Sequence, residues 1–315
     1  MTDTAGLQAD FLVGPTASGK SSVAQLLAEE SGGAVLSADA MLVYRGMDIG
    51  TAKPTAAERG AVPYYGLDLA GPDQAFNVWA YARHAREALR RCRGEGRRVI
   101  VVGGTGLYVK SLTHGLDSAP APDEERRAEW ARRLAEEGVG ALQAELERRA
   151  PELLAALHDP GNPRRLVRAL ENAAAGRTQP RRRWAGRGDR LVGLRLAPEW
   201  LNSRIERRVR DMYRQGFVEE VRRLLAAHGR LSVTATRAIG YAEAIDLLAG
   251  RCSQEEAIDR TALRTRQLAK RQRTWFRRQA DVAWVDVTED MPIRTVAQRV
   301  AEQWRRLGAA RIAEG

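Results

Sequence analysis

The segment from Gly14 to Ser21 constrains the fold of this chain more than any other part of its sequence. It reads Gly-Pro-Thr-Ala-Ser-Gly-Lys-Ser and fits the pattern G-x-x-x-x-G-K-[ST]. The short apolar run Asp10–Val13 precedes it, and Ser21–Glu30, with apolar residues at helical spacing, follows it. A loop of this pattern between a strand and a helix binds phosphate, because its backbone N–H groups and the helix N-terminus both point at the anion. We therefore predict a phosphate site in which Lys20 adds a positive charge and the Ser21 hydroxyl ligates Mg²⁺.

Other short apolar runs, bounded by turn residues, predict the strands of a parallel sheet. Helical periodicity between them produces the alternation of strand and helix that is typical of the α/β class. We therefore predict an α/β fold in which a P-loop NTPase-like parallel sheet is flanked by helices. The further strands are expected at Ala34–Ser37, Val99–Val102, Leu191–Leu196 and Val282–Val287. The further helices are expected at Val78–Arg91, within residues 198–225 and 238–278, and at Ile293–Leu307.

Residues 116–190 differ in character from the rest of the chain. They contain charged stretches with helical spacing and no strand pattern, at Asp123–Glu137, Val139–Arg149 and Arg164–Ala175. We predict that residues 116–190 form a helical insertion domain. It interrupts a P-loop core made of residues 1–115 and 191–315.

The charge of the chain is concentrated near its C-terminus. The whole sequence has 51 Lys and Arg against 40 Asp and Glu, whereas residues 191–315 alone hold 24 cations and 16 anions. From Arg260 to Arg278 there are eight cations and no acid. Such a stretch indicates a polyanionic partner such as nucleic acid. An apolar content of 44% excludes a chain that is disordered throughout.

Several classes of protein and site have no support in the sequence. No apolar run approaches the roughly 18 to 20 residues that cross a bilayer, and the first residues lack a secretory signal pattern. Cys92 and Cys252 are far apart, and the four histidines have no metal-ligand spacing. We expect reduced thiols, a cytoplasmic location, no membrane partner and, since no dimer seam is evident, a monomer.

Asp39 is the one carboxylate placed at the predicted carboxyl end of a strand. An ATP-hydrolysing motor would usually carry an acid for Mg²⁺ after a second strand, but Val99–Val102 leads into Gly-Gly-Thr-Gly. Asp39 instead follows Ala34–Ser37, at the edge where α/β sheets bind ligands. From position alone, Asp39 is either a functional carboxylate or a loop or cap residue.

Several segments of the sequence resemble, in order, the motifs of the tRNA dimethylallyltransferases. Beyond the phosphate loop these segments are residues 37–54 (SADAMLVYRGMDIGTAKP), 102–108 (VGGTGLY), 164–171 (RRLVRALE), 237–241 (RAIGY) and 265–276 (TRQLAKRQRTWF). The resemblance implies transfer of a dimethylallyl group from dimethylallyl diphosphate to the N6 amine of adenosine 37 in the anticodon stem-loop of tRNA. Diphosphate is the leaving group, and Mg²⁺ is the implied cofactor.

The same resemblance implies roles for individual residues. Asp39 would be the general base, with Thr105 and Arg127 near the reacting adenine. The implied diphosphate-binding residues are Gly14, Thr16, Ala17, Ser18, Gly19, Lys20, Ser21 and Arg237. The implied tRNA-binding residues are Asp39, Ala40, Met41, Leu42, Lys53, Arg164, Arg165, Leu166, Val167, Arg168, Arg237, Gly240, Tyr241, Lys270, Arg271, Gln272, Trp275 and Arg277. Many relatives have Ser and Gln where this chain has Ala40 and Leu42, so two polar contacts are absent here.

The basic stretch near the C-terminus has helical spacing. Four cations at i, i+4, i+7 and i+11 predict one stripe that neutralises RNA phosphates: Arg266, Lys270, Arg273 and Arg277. Trp275 and Phe276 are candidates for base stacking, but we expect core packing for one or the other.

Three other functions remain open at this point. A P-loop kinase of a nucleotide or small metabolite fits the loop but not the basic stretch. A prenyltransferase of free adenine nucleotide would not need the stripe, and a non-catalytic RNA-binding protein would not need Lys20 together with Asp39.

Overall fold

Seven strands form one sheet in the part of the chain that the computed structural model describes, residues 6–116, 124–177 and 190–313. They are β1 (Gln8–Val13), β2 (Ala34–Ser37), β3 (Tyr64–Tyr65), β4 (Val99–Gly103), β5 (Leu191–Arg195), β6 (Val282–Asp286) and β7 (Ala310–Arg311). The order across the sheet is β3-β2-β4-β1-β5-β6 with parallel pairing, and β7 pairs antiparallel with β1. The central strands β1 and β4 are buried almost throughout, which explains the apolar runs within them.

Twelve α-helices occur in the same described residues, and the one over Glu124–Arg149 is kinked at Gly138, where the backbone is not helical (φ 81°). The kink lies between the two helices predicted for residues 123–137 and 139–149. The helices are α1 (Lys20–Ser31), α2 (Ala56–Arg59), α3 (Val78–Gly94), α4 (Gly106–Thr113), α5 (Glu124–Arg149), α6 (Pro151–Ala155), α7 (Pro163–Ala174), α8 (Pro198–Arg214), α9 (Phe217–His228), α10 (Tyr241–Leu248), α11 (Gln254–Gln279) and α12 (Ile293–Leu307). The alternation of these helices with a mostly parallel sheet confirms the predicted α/β class.

The described residues divide into two compact units. The core unit combines residues 6–115 with 190–313 and contains the whole sheet. The helical unit lies within Leu116–Trp184 and is described from residue 124 to 177. Its own small core is formed by α5, α6 and α7 around residues such as Trp130, Leu142 and Leu170. Position 123, where the first insertion helix is expected to start, lies outside the described residues, as do residues 178–189 at the end of the predicted insertion domain.

Local chemistry sets where the long helical stretches begin and end. Residues 198–225 form two helices because Gly216 takes a left-handed conformation between them, with φ 93°. Residues 238–278 also form two helices. The second, α11, starts at a capping box in which Ser253 and Glu256 satisfy each other's backbone N–H groups. The short strands β3 and β7 have two residues each and were not expected from the sequence, because two residues are too few for a periodic signal.

Strand order places three chain segments at one edge of the sheet. β4 lies between β1 and β2, and all three strands run in the same direction. The phosphate loop follows β1, Asp39 follows β2, and Thr105 follows β4. Their side chains therefore converge at the carboxyl edge of the core unit.

Candidate active site at the carboxyl edge of the sheet

The phosphate loop has the backbone of an anion cradle. Ala17 has φ 62° and Gly19 has φ 89°, so the loop turns through left-handed conformations between β1 and α1. A non-glycine residue in this region costs about 1–2 kcal/mol, which surrounding contacts must offset. Ser18 Oγ is buried and has no hydrogen-bond partner among the described residues. A buried hydroxyl without a partner at this place is suited to donate a hydrogen bond to a phosphate oxygen.

Lys20 is the buried cation of the loop. Its side chain is 8% exposed, and its Nζ donates a hydrogen bond to the carbonyl of Pro15 at 3.0 Å. Burial lowers the pKa of Lys20 to about 8; the negative charge of Asp39 acts in the opposite direction and Arg208 adds to the lowering. A bound anion beside the ammonium would therefore raise the pKa of Lys20 back toward its ordinary value.

Two arginines of α8 complete the positive end of the site. Arg204 Nε donates to the carbonyl of Ala17 at 2.9 Å and so supports the strained residue of the loop. Arg208 donates to the carbonyl of Thr51 at 3.4 Å. Burial lowers the pKa of both side chains, and the Asp39 charge counteracts this at Arg208. Neither arginine was predicted from the sequence, where the only signal was their i, i+4 spacing on a predicted helix.

Asp39 and Thr105 are joined through the backbone that flanks them. Asp39 Oδ1 accepts the N–H of Met41 at 2.9 Å, and Thr105 Oγ1 accepts the N–H of Ala40 at 3.0 Å. The N–H of Thr105 donates to the carbonyl of Ala38 at 3.2 Å. The loop role that sequence alone left open for Asp39 is therefore present, but it uses only one carboxylate oxygen. Asp39 Oδ2 accepts no hydrogen bond from the described residues, which leaves it for a ligand.

A pair of tyrosines packs behind these residues. The rings of Tyr81 and Tyr108 stack with centroids 3.9 Å apart and an interplanar angle of 14°. Burial raises the pKa of both hydroxyls, and the Asp39 charge adds to the effect. Both phenols therefore stay neutral at physiological pH and form an apolar, aromatic wall near the carboxylate.

Helix α11 lies against the same edge. Gln272 Oε1 accepts the backbone N–H of Thr16 at 2.8 Å. The indole of Trp275 covers Gly106 so closely that any Cβ there would collide with the ring. Phe276 is fully buried, which confirms core packing for one of the two aromatic residues. The backbone N–H of Thr16, a residue predicted to bind diphosphate, thus has a protein acceptor in this structure.

Glu220 holds the loop that follows Asp39. Its carboxylate accepts the N–H groups of Asp48, Ile49 and Gly50 at 3.0, 2.6 and 3.2 Å, and the hydroxyl of Tyr241 at 2.7 Å. Glu220 is 3% exposed. Glu220 was not predicted from the sequence, although its spacing places a carboxylate on the apolar stripe of α9, between Phe217 and Leu224.

Lys53 supports the same loop from inside. Its Nζ donates to the carbonyl of Tyr44 and to the carboxylates of Asp48 and Asp68, each at 2.7 Å. An ammonium has three N–H groups, so all of them are used within the protein. In this arrangement Lys53 orders the loop, and the tRNA contact that the family resemblance implies for it stays a prediction.

The predicted basic stripe on α11 has three open members and one paired member. Arg266 forms an ion pair with Glu206 at 2.7 Å. The other three, Lys270, Arg273 and Arg277, line a common cavity and have no ion pair or hydrogen bond with any described residue. The stripe that faces outward therefore begins at Lys270.

The remaining residues assigned to tRNA or diphosphate in the core unit differ in exposure. Arg237 ends a 3₁₀ turn, Ala235–Arg237, and its side chain is exposed, as is that of Arg271. Gly240 and Tyr241 are buried. The half-buried members are Ala40, Met41 and Leu42.

In the helical unit, Arg127 belongs to an ion-pair network. Glu171 accepts hydrogen bonds from Arg127 at 2.9 Å and from Arg168 at 2.6 Å. Burial alone would raise the pKa of Glu171, but the two guanidinium groups lower it. Leu166 is fully buried in the core of this unit. The other assigned residues of the unit are exposed or half-buried: Arg164, Arg165 and Val167.

Two further properties concern metals and membranes. Within residues 6–116, 124–177 and 190–313, no three His, Cys, Asp or Glu side chains are grouped so that they hold a metal ion. No helix in those ranges is long and apolar enough to span a membrane.

The fold and the site define a P-loop protein of the α/β class. A family model described as IPP transferase matches residues 42–279, and one described as Isopentenyl transferase matches residues 7–62. The chain belongs to the IPP transferase family, which confirms the resemblance found in the sequence.

Relatives and solved structures agree with this assignment. The tRNA dimethylallyltransferase of Corynebacterium efficiens is 42% identical over 295 residues, covering 90% of this chain and 96% of the relative. That of Geobacter metallireducens is 43% identical over 280 residues, covering 87% and 90%. The crystal structure of the full-length tRNA isopentenylpyrophosphate transferase from Bacillus halodurans has 37% identity and a TM-score of 0.69, covering 96% and 98%. A eukaryotic dimethylallyltransferase acting on tRNA has 23% identity and a TM-score of 0.75, covering 93% and 77%, which shows a common fold.

Proposed function

We propose that this protein transfers a dimethylallyl group from dimethylallyl diphosphate to the N6 amine of adenosine 37 in tRNA and releases diphosphate. The observation that carries the proposal is the convergence of a phosphate cradle and the Asp39 carboxylate at one sheet edge. Membership of the IPP transferase family supports the same reaction. In the reaction a C–O bond to diphosphate breaks, an N–C bond forms, and a proton leaves the amine.

The positive end of the site suits the leaving group. Negative charge grows on diphosphate as the C–O bond breaks, and fixed cations stabilise it without reorganisation. Lys20 supplies a buried ammonium, and Arg204 and Arg208 lie on α8 beside the loop. We assign Arg237 to the same anion, as the family resemblance implies.

Mg²⁺ fits the loop through few protein ligands. The Ser21 side chain is exposed at the start of α1, and the orphan hydroxyl of Ser18 lies in the same loop. Mg²⁺ commonly binds one or two protein oxygens together with phosphate oxygens, so the lack of a carboxylate cluster in the described residues is compatible with it. When bound, the ion would neutralise part of the charge on diphosphate.

Asp39 suits the nucleophile. The adenine amine is weak because its lone pair is delocalised, so a carboxylate that accepts its N–H favours attack and then takes the proton. Asp39 Oδ2 is the oxygen with no described partner, while Oδ1 keeps the side chain oriented through Met41. Thr105 fixes the neighbouring backbone through Ala40.

The open cations of α11 suit the RNA. A base that reacts inside a pocket must leave its stack, at a cost of a few kcal/mol that contacts elsewhere offset. Lys270, Arg273 and Arg277 provide such contacts with phosphates of the anticodon stem-loop. The two free cysteines favour a reducing compartment, the cytoplasm, as the place of action.

The test incubates the full chain with Mg²⁺, dimethylallyl diphosphate and either tRNA or AMP. We expect prenylated nucleoside from tRNA only. Product from AMP alone would assign the chain to adenylate prenylation. A parallel incubation with ATP and AMP tests the kinase alternative, and phosphoryl transfer there without prenylation of tRNA would assign the chain to the kinases.

A variant separates chemistry from binding. Asp39→Asn retains an oxygen for the Met41 N–H but loses the charge, so turnover should fall at least about 100-fold. Retention of tRNA and dimethylallyl diphosphate on filters should stay within about threefold of the wild type. Loss of binding together with turnover would make Asp39 a structural residue.

A further inference from the structure

A cavity of about 820 Å³ opens in the core unit where α8 begins, α11 approaches its end, and strands β5 and β6 finish. We call it the α11 groove and define it by two indoles and three cations: Trp200, Trp284, Lys270, Arg273 and Arg277. The reaction described above uses neither indole.

The groove is positively charged. Four cations line it, and three of them, Lys270, Arg273 and Arg277, have no acidic partner among the described residues. Of its acids, Asp286 is bound through both oxygens by Arg195, and this hydrogen bonding lowers the pKa of Asp286. Glu289 is the other acid that lines it. The charge therefore favours an anion with more than one phosphate along its length.

The groove also has aromatic walls. Trp284 packs over Gly193 of the neighbouring strand, where any Cβ would collide with the indole. The guanidinium of Arg204 lies over the Trp200 ring, 5.1 Å from its centroid. The same Arg204 donates a hydrogen bond to the carbonyl of Ala17 in the phosphate loop. Both indoles are half-buried. A single side chain thus connects the wall of the groove with the diphosphate cradle.

We propose that the α11 groove binds a second, unstacked nucleotide of the RNA, one that flanks the reacting adenosine. Its base stacks on an indole, and its phosphates lie against Lys270, Arg273 and Arg277. The inference rests on the proposed function, because extrusion of one base removes a stacking partner from its neighbour. A cationic track beside aromatic platforms is how proteins hold single-stranded nucleic acid.

The first experiment measures the affinity of the full chain for an anticodon stem-loop RNA at several salt concentrations. Trp284→Leu and Trp200→Leu should each weaken binding about tenfold without changing the salt slope, since stacking releases no counterions. Arg273→Ala should instead reduce the slope by about one. Trp79→Leu and Arg306→Ala are matched controls, because both side chains are exposed and lie outside the groove.

The second experiment locates the nucleotide by a double-mutant cycle. Abasic residues replace each single-stranded position of the loop in turn, and binding is measured with wild type, Trp284→Leu and Trp284→Phe. At one flanking position, we expect the abasic RNA to bind wild type about tenfold more weakly than intact RNA does. At the same position, Trp284→Leu should bind abasic and intact RNA equally well. Trp284→Phe should restore most of the affinity.

Absence of such a position, while wild type still prenylates tRNA, would overturn the inference and leave the proposed function intact. Failure of wild type to prenylate tRNA would overturn the proposed function itself. Dimethylallyl diphosphate affinity and the melting temperature show that each variant is folded. Since Phe retains an aromatic face, equal losses in Trp284→Leu and Trp284→Phe would assign Trp284 to packing and also overturn the inference.

Discussion

The side-chain Oε1 of Gln272 accepts the backbone N–H of Thr16 at 2.8 Å, across 256 residues of sequence. One partner lies in the phosphate loop and the other on α11, the helix that carries the open cations. The helix we assign to RNA is therefore fastened directly to the loop we assign to diphosphate. The two proposed binding sites therefore share this hydrogen bond.

Gln272→Ala should lower the free energy of unfolding by about 1–3 kcal/mol, because it leaves the Thr16 N–H without an acceptor. Gln272→Glu keeps an acceptor but adds a negative charge beside the loop. It should therefore weaken dimethylallyl diphosphate binding more than Gln272→Ala does, with a smaller loss of stability. Urea unfolding and calorimetric titration measure the two quantities. Gln267→Ala, an exposed glutamine of the same helix, is the control, and equal behaviour of all three variants would contradict the assignment.

Lys20→Met should stabilise the fold while abolishing turnover. The pKa of Lys20 falls from its ordinary 10.5 to about 8 in the folded protein, so burial of the ammonium destabilises the fold fully below pH 8. That cost is relieved as the pH rises from 8 to 10.5, because the folded state then binds fewer protons than the unfolded state. The variant should gain up to about 3 kcal/mol at pH 7 and nothing above pH 10.5.

Urea unfolding of Lys20→Met and wild type at pH 7 and above pH 10.5 checks this prediction. Lys270→Met, at an exposed lysine, should show no such gain. A Lys20→Met protein that is less stable than wild type at pH 7 would mean that the hydrogen bond to Pro15 outweighs the cost of burial.

Lys270→Ala should weaken tRNA binding and flatten the dependence of log K on log salt by about one, because one phosphate contact is lost. Arg266→Ala on the same helix should flatten it less, since Glu206 already neutralises that guanidinium. Filter binding between about 50 and 200 mM salt measures the slopes of both variants. Equal slopes for the two variants would show that the ion pair opens when RNA binds.

Glu220→Ala should cost about 3–5 kcal/mol of stability, because three backbone N–H groups and the Tyr241 hydroxyl lose their common buried acceptor. Glu219→Ala, one residue earlier and exposed, should cost little. Chemical denaturation measures both. A small effect at Glu220 would mean that water replaces the carboxylate and that the loop is held by Lys53 instead.

The placement of the phosphate loop, Asp39 and Thr105 was predictable, because each follows a short apolar strand and parallel strands end at one edge. Arg204, Arg208 and Glu220 were not. Each lies on an amphipathic helix with several charged residues, and the sequence does not state which turn of the helix docks on the loop. The position of Lys53 was not predictable either. Lysines are rarely buried, so nothing in the sequence indicates that Lys53 lies among three acceptors.

The sequence by itself determined the α/β class, the phosphate loop, the family and the basic helix, since these depend on local pattern and on residues that are contiguous in the chain. Only the tertiary structure decided which cations are available and which are already paired. In the structure Arg266 forms an ion pair with Glu206, Lys270 has no ion pair with a described residue, and Gln272 binds the backbone of Thr16. Such pairings depend on how helices far apart in sequence pack on the sheet, because interactions form between the groups that this packing brings within a few ångströms of each other.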